Sequence, residues 1–171
     1  MKLEVSWKPK AFHKITVRET LPQLWKKIRP FVLQQFDCTC QTCGYKEHDP
    51  NKYRDIHVHE MEEYDFENYV CHLKGLELIC KNCHAFHHYQ RTLHYSSKER
   101  LEELNDHFMK VNGCDAVELE FQFEEKEFEL YKITYMKPPA GLTPKFTVDS
   151  NVPFYLDIVN QLEKKGLLFK K

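Results

Sequence analysis

A chain of 171 residues is the length of a single domain, and its net charge of −1 supplies no overall attraction for a polyanion. No apolar run approaches the roughly 20 residues that span a bilayer, and the opening MKLEVSWKPK lacks the continuous apolar core of a signal peptide. A soluble, cytoplasmic protein with no membrane partner is expected, and in that compartment its seven cysteines point to metal rather than to disulfides.

Charge is unevenly placed all the same. Lys8, Lys10, Lys14, Arg18, Lys26, Lys27 and Arg29 crowd the first part of the chain, and acids crowd Glu118 to Glu129. A nucleic-acid partner would be met by such a local patch; two solvated faces are the plain alternative.

Residues 1–19 read as an extended basic arm. A helix follows, with Thr20 as N-cap and Pro22 in its first turn. Trp25, Ile28, Phe31, Val32 and Gln35 give it one largely apolar face, and Pro30 should kink or shorten it. Tyr53 to Met61 alternates as a strand does, with Asp55, His57 and His59 on one face and Ile56, Val58 and Glu60 on the other. Leu73 to Ile79 reads as a second short strand with a turn at Gly75, and His84 to Leu93 as a helix starting at the second cysteine pair. Ser96-Ser-Lys-Glu99 has the form of a capping box. It predicts a helix over about 97–110 that buries Leu101, Leu104, Phe108 and Val111 and closes at Gly113. A helix over 115–133 would bury Val117, Phe121, Phe128 and Tyr131, although the alternation of Leu119, Phe121 and Phe123 also fits a strand. Pro138 to Thr147 reads as a connector. The last helix, about 153–165, starts at Pro153, presents Phe154, Ile158 and Leu162 on one face and ends before Gly166.

Cys40-Gln-Thr-Cys43 and Cys80-Lys-Asn-Cys83 are two CxxC pairs. Two intervening residues let both thiolates of a pair reach one ion at about 2.3 Å, and two such knuckles complete the closed four-sulfur site that zinc favours. Structural Zn2+ at Cys40, Cys43, Cys80 and Cys83 is therefore expected. Cys38 falls too early for a knuckle and reads as a free thiol, while Cys71 and Cys114 read as small buried hydrophobes.

With four thiolates assigned, zinc does not need the histidines. His84 and His88 stand four apart on the predicted helix and can grip one divalent ion. The zinc should bring the strand bearing His57 and His59 against that pair. An ion held by few protein ligands keeps positions open for water and a phosphate oxygen, and a free imidazole beside it can accept a proton from water. His13, His48, His72, His94 and His107 read as surface or core filler, and so does His87, whose helical angle points away from the pair.

These residues carry a resemblance. Cys40-x-x-Cys43, a histidine on the following strand, and Leu-x-x-Cys80-x-x-Cys83-His84-x-x-x-His88 resemble the HNH endonuclease family. HEMEEYD (59–65), HLKGLELICKNCHAFHH (72–88) and HFMKVNG (107–113) resemble more narrowly a bacterial and phage subgroup, over roughly residues 20–135. The resemblance implies an α+β fold: a small zinc-stabilised ββα-metal core with additional helices on both sides. Residues 1–19 and 136–171 lie outside the resemblance, so the chain is expected to divide into the basic arm (1–19), the HNH module (20–95), a helical extension (96–135), and a connector with a C-terminal helix (136–171). The resemblance implies His59 as general base, and His84 and His88 as ligands of a second divalent ion (Mg2+, Mn2+, Ni2+ or Zn2+). Many members carry an Asp or His ligand where Val58 stands and an Asn where Gly75 stands. His57 and Glu60 are then the candidates for a third ligand. A metal-dependent endonuclease hydrolysing DNA is the expected function, with weak sequence specificity. The alternatives are a non-catalytic zinc module binding nucleic acid or protein, and an interaction protein using the acidic, aromatic C-terminal half. The tail, residues 136–171, could supply a homodimer surface or a lid over the site.

Overall fold

The alternating run that carries the histidines pairs with the next apolar run into an antiparallel hairpin, β1 (Ile56–Asp65) and β2 (Val70–Cys80). The fold is given by a computed structural model that describes residues 2–170, so Met1 and Lys171 lie outside the described residues. Alternation sorts the hairpin's side chains between two faces. Ile56, Val58, Leu76 and Leu78 enter one apolar core; His57 and His59, opposite Ile79 and Glu77, lie on the other face. β1 starts later than predicted because Pro50 opens a 3-10 turn over Pro50–Asp55, capped by the Asp49 carboxylate, which accepts from the Asn51 amide. Nor does the chain turn at Gly75. The glycine pairs with Met61 inside β2, where the register shifts between Met61 and Glu62, so a bulge takes the place of the predicted turn.

The predicted connector hides a third strand. β3 (Lys145–Val148) adds parallel to β2 and gives the order β1-β2-β3, which leaves β1 as a free edge.

Helices cover both faces. α1 (Val17–Thr20) is capped by Thr16 and leads into α2 (Pro22–Gln35). Pro30 lies inside α2 without ending it, and Phe31, placed on the apolar face, is half exposed beside Phe154. Together with Phe12, β3 and α7 (Tyr155–Lys164), these helices build the first core; Ile158 and Leu162 are buried there as predicted. The described part of the predicted arm, residues 2–19, is therefore not extended. Leu3, Val5, Phe12 and Val17 are all buried, and Lys8 is drawn in to donate to Glu62 at 2.5 Å and to the Ile15 carbonyl at 2.8 Å.

The second core gathers around Phe86, between α3 (Lys81–His87), α4 (Tyr89–Tyr95), α5 (Lys98–Asn112) and α6 (Ala116–Tyr135). The single helix predicted over 84–93 is two, broken at His88. The N-terminal segment stabilises that break: the Ser6 amide donates to the Phe86 carbonyl at 2.9 Å, and the Tyr89 amide donates to the Ser6 carbonyl at 3.1 Å. Ser97, one residue later than predicted, caps α5 by accepting from the Arg100 amide. Leu104 and Phe108 form its buried stripe, and Gly113 closes it at φ +68°, where a glycine is unstrained.

The face predicted for α6 is overturned. Val117, Phe121, Phe128 and Tyr131 are exposed, and Leu119 is buried instead, with Phe123, Leu130 and Thr134 packed inward. α6 has apolar residues around much of its circumference, so either stripe satisfies helical periodicity, and docking of Phe123 on Phe86 and Phe108 chooses between them. No helix among the described residues is long and apolar enough to cross a membrane.

Candidate metal centre

The four knuckle cysteines meet where the hairpin passes into α3. Cys80 ends β2 and serves as the N-cap residue of α3, and Cys83 lies in its first turn. Cys40 and Cys43 come from the loop after α2, folded back as a tight turn by Gly44, which sits at φ +76° and donates to the Cys40 carbonyl at 2.9 Å. Gln41 stitches this turn to the sheet: its amide donates to the Leu78 carbonyl, and its side-chain oxygen accepts from the Leu78 amide.

All four Sγ atoms lie within 4.8 Å of one another, and Cys43 and Cys80 are 3.7 Å apart. A tetrahedral ion with 2.3 Å bonds sets its sulfurs about 3.8 Å apart, so the donor set fits zinc. The four thiols are crowded enough to act on one another. Hydrogen bonds from Cys43, Cys80 and Cys83 pull the Cys40 thiol far down, while sharing with Cys40, Cys43 and Cys80 pushes Cys83 up. Four thiolates at this spacing need a cation among them. The Cys83 sulfur also contacts the Nε2 atom of His107, on α5, at 3.2 Å. His107, expected to be filler, is thus placed to donate to a ligating sulfur.

The face of the hairpin under α3 holds a second cluster. The ring nitrogens of His59, His84 and His88 approach within 4.8 Å of one another. The His84 and His88 rings are 4.6 Å apart even though His88 has left the helix, and His59 stands 5.4 and 5.5 Å from them. Three imidazoles binding one ion at about 2.1 Å would set their nitrogens about 3.4 Å apart, within reach of small side-chain rotations. Burial first, and the neighbouring histidines second, hold His59 and His84 down at about 2 and His88 at about 4. All three are therefore neutral, with lone pairs to offer, at physiological pH.

His57 stacks flat on His84, with ring centroids 4.4 Å apart and planes inclined by 7°, and stands outside the trio. Glu60 does not reach the cluster: it accepts from the Arg18 amide at 3.1 Å, and burial raises its carboxyl to about 7. Cys38 is a buried free thiol, Cys71 is buried against Glu62, and Cys114 is half-buried. His87, set aside at the sequence level, lies beside His59 at 4.4 Å and contacts Glu77 at 3.6 Å. His59, Glu77 and His87 make a second group with ligand atoms within 4.8 Å of one another. Burial pushes Glu77 up to about 7 and pulls His87 down, so it weakens the charge on both sides of their contact. The signal for Glu77 was available in the sequence, since residues opposite His59 in a hairpin share its face. No protein-family model, curated protein or solved structure matches this chain.

Proposed function

We propose that this protein is a metal-dependent nuclease of the HNH type that hydrolyses phosphodiester bonds in DNA. The observation that carries the reading is the convergence of His59, His84 and His88 on a hairpin–helix unit whose junction is clasped by four cysteines. An order of strand, strand and helix is what the resemblance to a ββα-metal core implies, and the sulfur cluster at the junction supports that reading. Val58, which stands where many members carry a ligand, points into the core, so the ligand count has to be completed from the histidine face.

In this reading His84 and His88 hold a divalent ion, and His59 takes the proton from the attacking water. A divalent ion supplies positive charge to the pentacovalent phosphate and to the leaving 3′ oxygen. Burial keeps the His59 imidazole neutral, as a base must be, and Glu77 and His87 stand beside it. One observation favours the second reading, a non-catalytic zinc module: His59 belongs to two ligand-spaced groups, and coordination would occupy its lone pair.

Plasmid cleavage separates the two. With magnesium, manganese, nickel or zinc added, wild type is expected to nick DNA. His59→Ala should lose that activity while keeping its fold, its structural zinc and its second ion. No cleavage by wild type with any of these metals rejects the nuclease, and loss of the second ion from His59→Ala makes His59 a ligand rather than the base.

A further inference from the structure

A groove of about 410 Å³ opens at the N-terminal end of β1, and three arginines from three separate elements line it. Arg18 comes from α1, Arg29 from α2 and Arg54 from the 3-10 turn before β1; half-buried His57 and the buried Trp25, Ile56 and Val58 also line it. We propose that this groove seats backbone phosphates of a nucleic acid beside the histidine cluster. The inference deepens the nuclease reading and rests on it for the identity of the polyanion.

Counter-ions are the first ground. Among the described residues, no carboxylate lies within 4.0 Å of any of the three guanidiniums, although the chain as a whole carries about as many acids as bases. Three like charges in one concave wall repel one another, and an anion is the ligand that relieves the repulsion. Arg29 feels this directly: burial first, and then the charge of Arg18, lower its pKa. The second ground is preorganisation. Arg29 is held from behind, donating to the carbonyls of Tyr53 at 2.6 Å and Ile56 at 3.2 Å, so its orientation is fixed before anything binds. Arg18 and Arg54 are exposed and free to close as bidentate forks on phosphate oxygens.

Position is the third ground. His57 is both a wall of the groove and the ring stacked on His84. A strand lying in the groove would therefore pass one side chain away from the proposed ion. β1 is an edge strand, so no neighbouring strand blocks that path. A chain with net charge −1 has no general affinity for nucleic acid, which makes a local arginine wall the more necessary.

Zinc-loaded protein with no other metal, titrated with a short fluorescent DNA duplex at several salt concentrations, tests the groove by anisotropy. Arg18→Ala/Arg54→Ala is the test variant; Arg29 is kept because it also braces the 3-10 turn. Lys26→Ala/Lys27→Ala removes the same charge from exposed positions outside the groove. The arginine variant is expected to bind about tenfold or more weakly, with a salt slope smaller by about 2, and the lysine variant to bind like wild type. Zinc content and the urea midpoint should stay at the wild-type values in both, which separates lost contacts from a lost fold. The proposal is overturned if wild type fails to bind the duplex or if the arginine variant, folded and zinc-loaded, binds as wild type does. Failure of the nuclease reading looks different: duplex binding that depends on the arginines, with no cleavage by wild type under any metal.

Discussion

His107 shows how much a single contact across the fold can carry. Its imidazole meets the Cys83 sulfur at 3.2 Å, and a donor to a zinc-bound thiolate both orients the ligand and moderates its charge. His107→Ala should keep zinc at the four cysteines but lose it about tenfold or more faster to a competing chelator. An unchanged transfer rate would reduce His107 to a bystander. Protonation of the histidine trio belongs to the same scale. His59, His84 and His88 are held below their ordinary value of 6.5 by burial. Below that value the unfolded chain binds protons that the folded chain refuses. Their contribution to stability is thus whole above about pH 6.5 and is lost as pH falls toward the folded values. In zinc-loaded protein without a second ion, the urea midpoint should drop between about pH 7 and about pH 5, and drop less in His59→Gln/His84→Gln/His88→Gln. Equal slopes would show that the cluster titrates normally. Activity should likewise persist below the ordinary histidine range, since the proposed base stays neutral there.

At the scale of elements, α3 packs into the second core through Phe86, which is fully buried against Tyr89, Phe108 and Phe123. Phe86→Ala is expected to cost about 3–5 kcal/mol in urea unfolding. The equivalent change at Phe121, exposed on the far side of α6, should cost less than about 0.5 kcal/mol. Similar losses at both positions would mean that α6 docks through the stripe the sequence suggested. The contrast marks what sequence could reveal. The cysteine pairs and the approach of His59 to His84 and His88 were legible because they depend on short spacings and on one tie between strand and helix. His87 was misread because its helical angle was weighed only against His84 and His88, whereas the hairpin face beneath α3 presents His59 and Glu77 to it. β3 and His107 were missed for the same kind of reason: a parallel strand reached by a long connection, and a histidine delivered by the docking of α5, leave no local pattern. In α6, local pattern was present but ambiguous, and tertiary packing decided it.

For the whole molecule, the four cysteines sit where both cores meet. Cys38, next to the first knuckle, packs in the core with α2, and Cys40, Cys80 and Cys83 pack in the core with Phe86. One structural ion there would fix the hairpin, α3 and the loop after α2 together, and the histidine face inherits its geometry from that clasp. The account therefore separates a scaffold ion from a reactive one. The most direct measurement is the number of ions per chain after equilibrium dialysis of zinc-loaded protein against manganese or nickel. Wild type is expected to retain its zinc and take up one further ion, while His84→Ala/His88→Ala retains the zinc and takes up none. Wild type that binds no further ion, or a double variant that still binds one, would contradict the account.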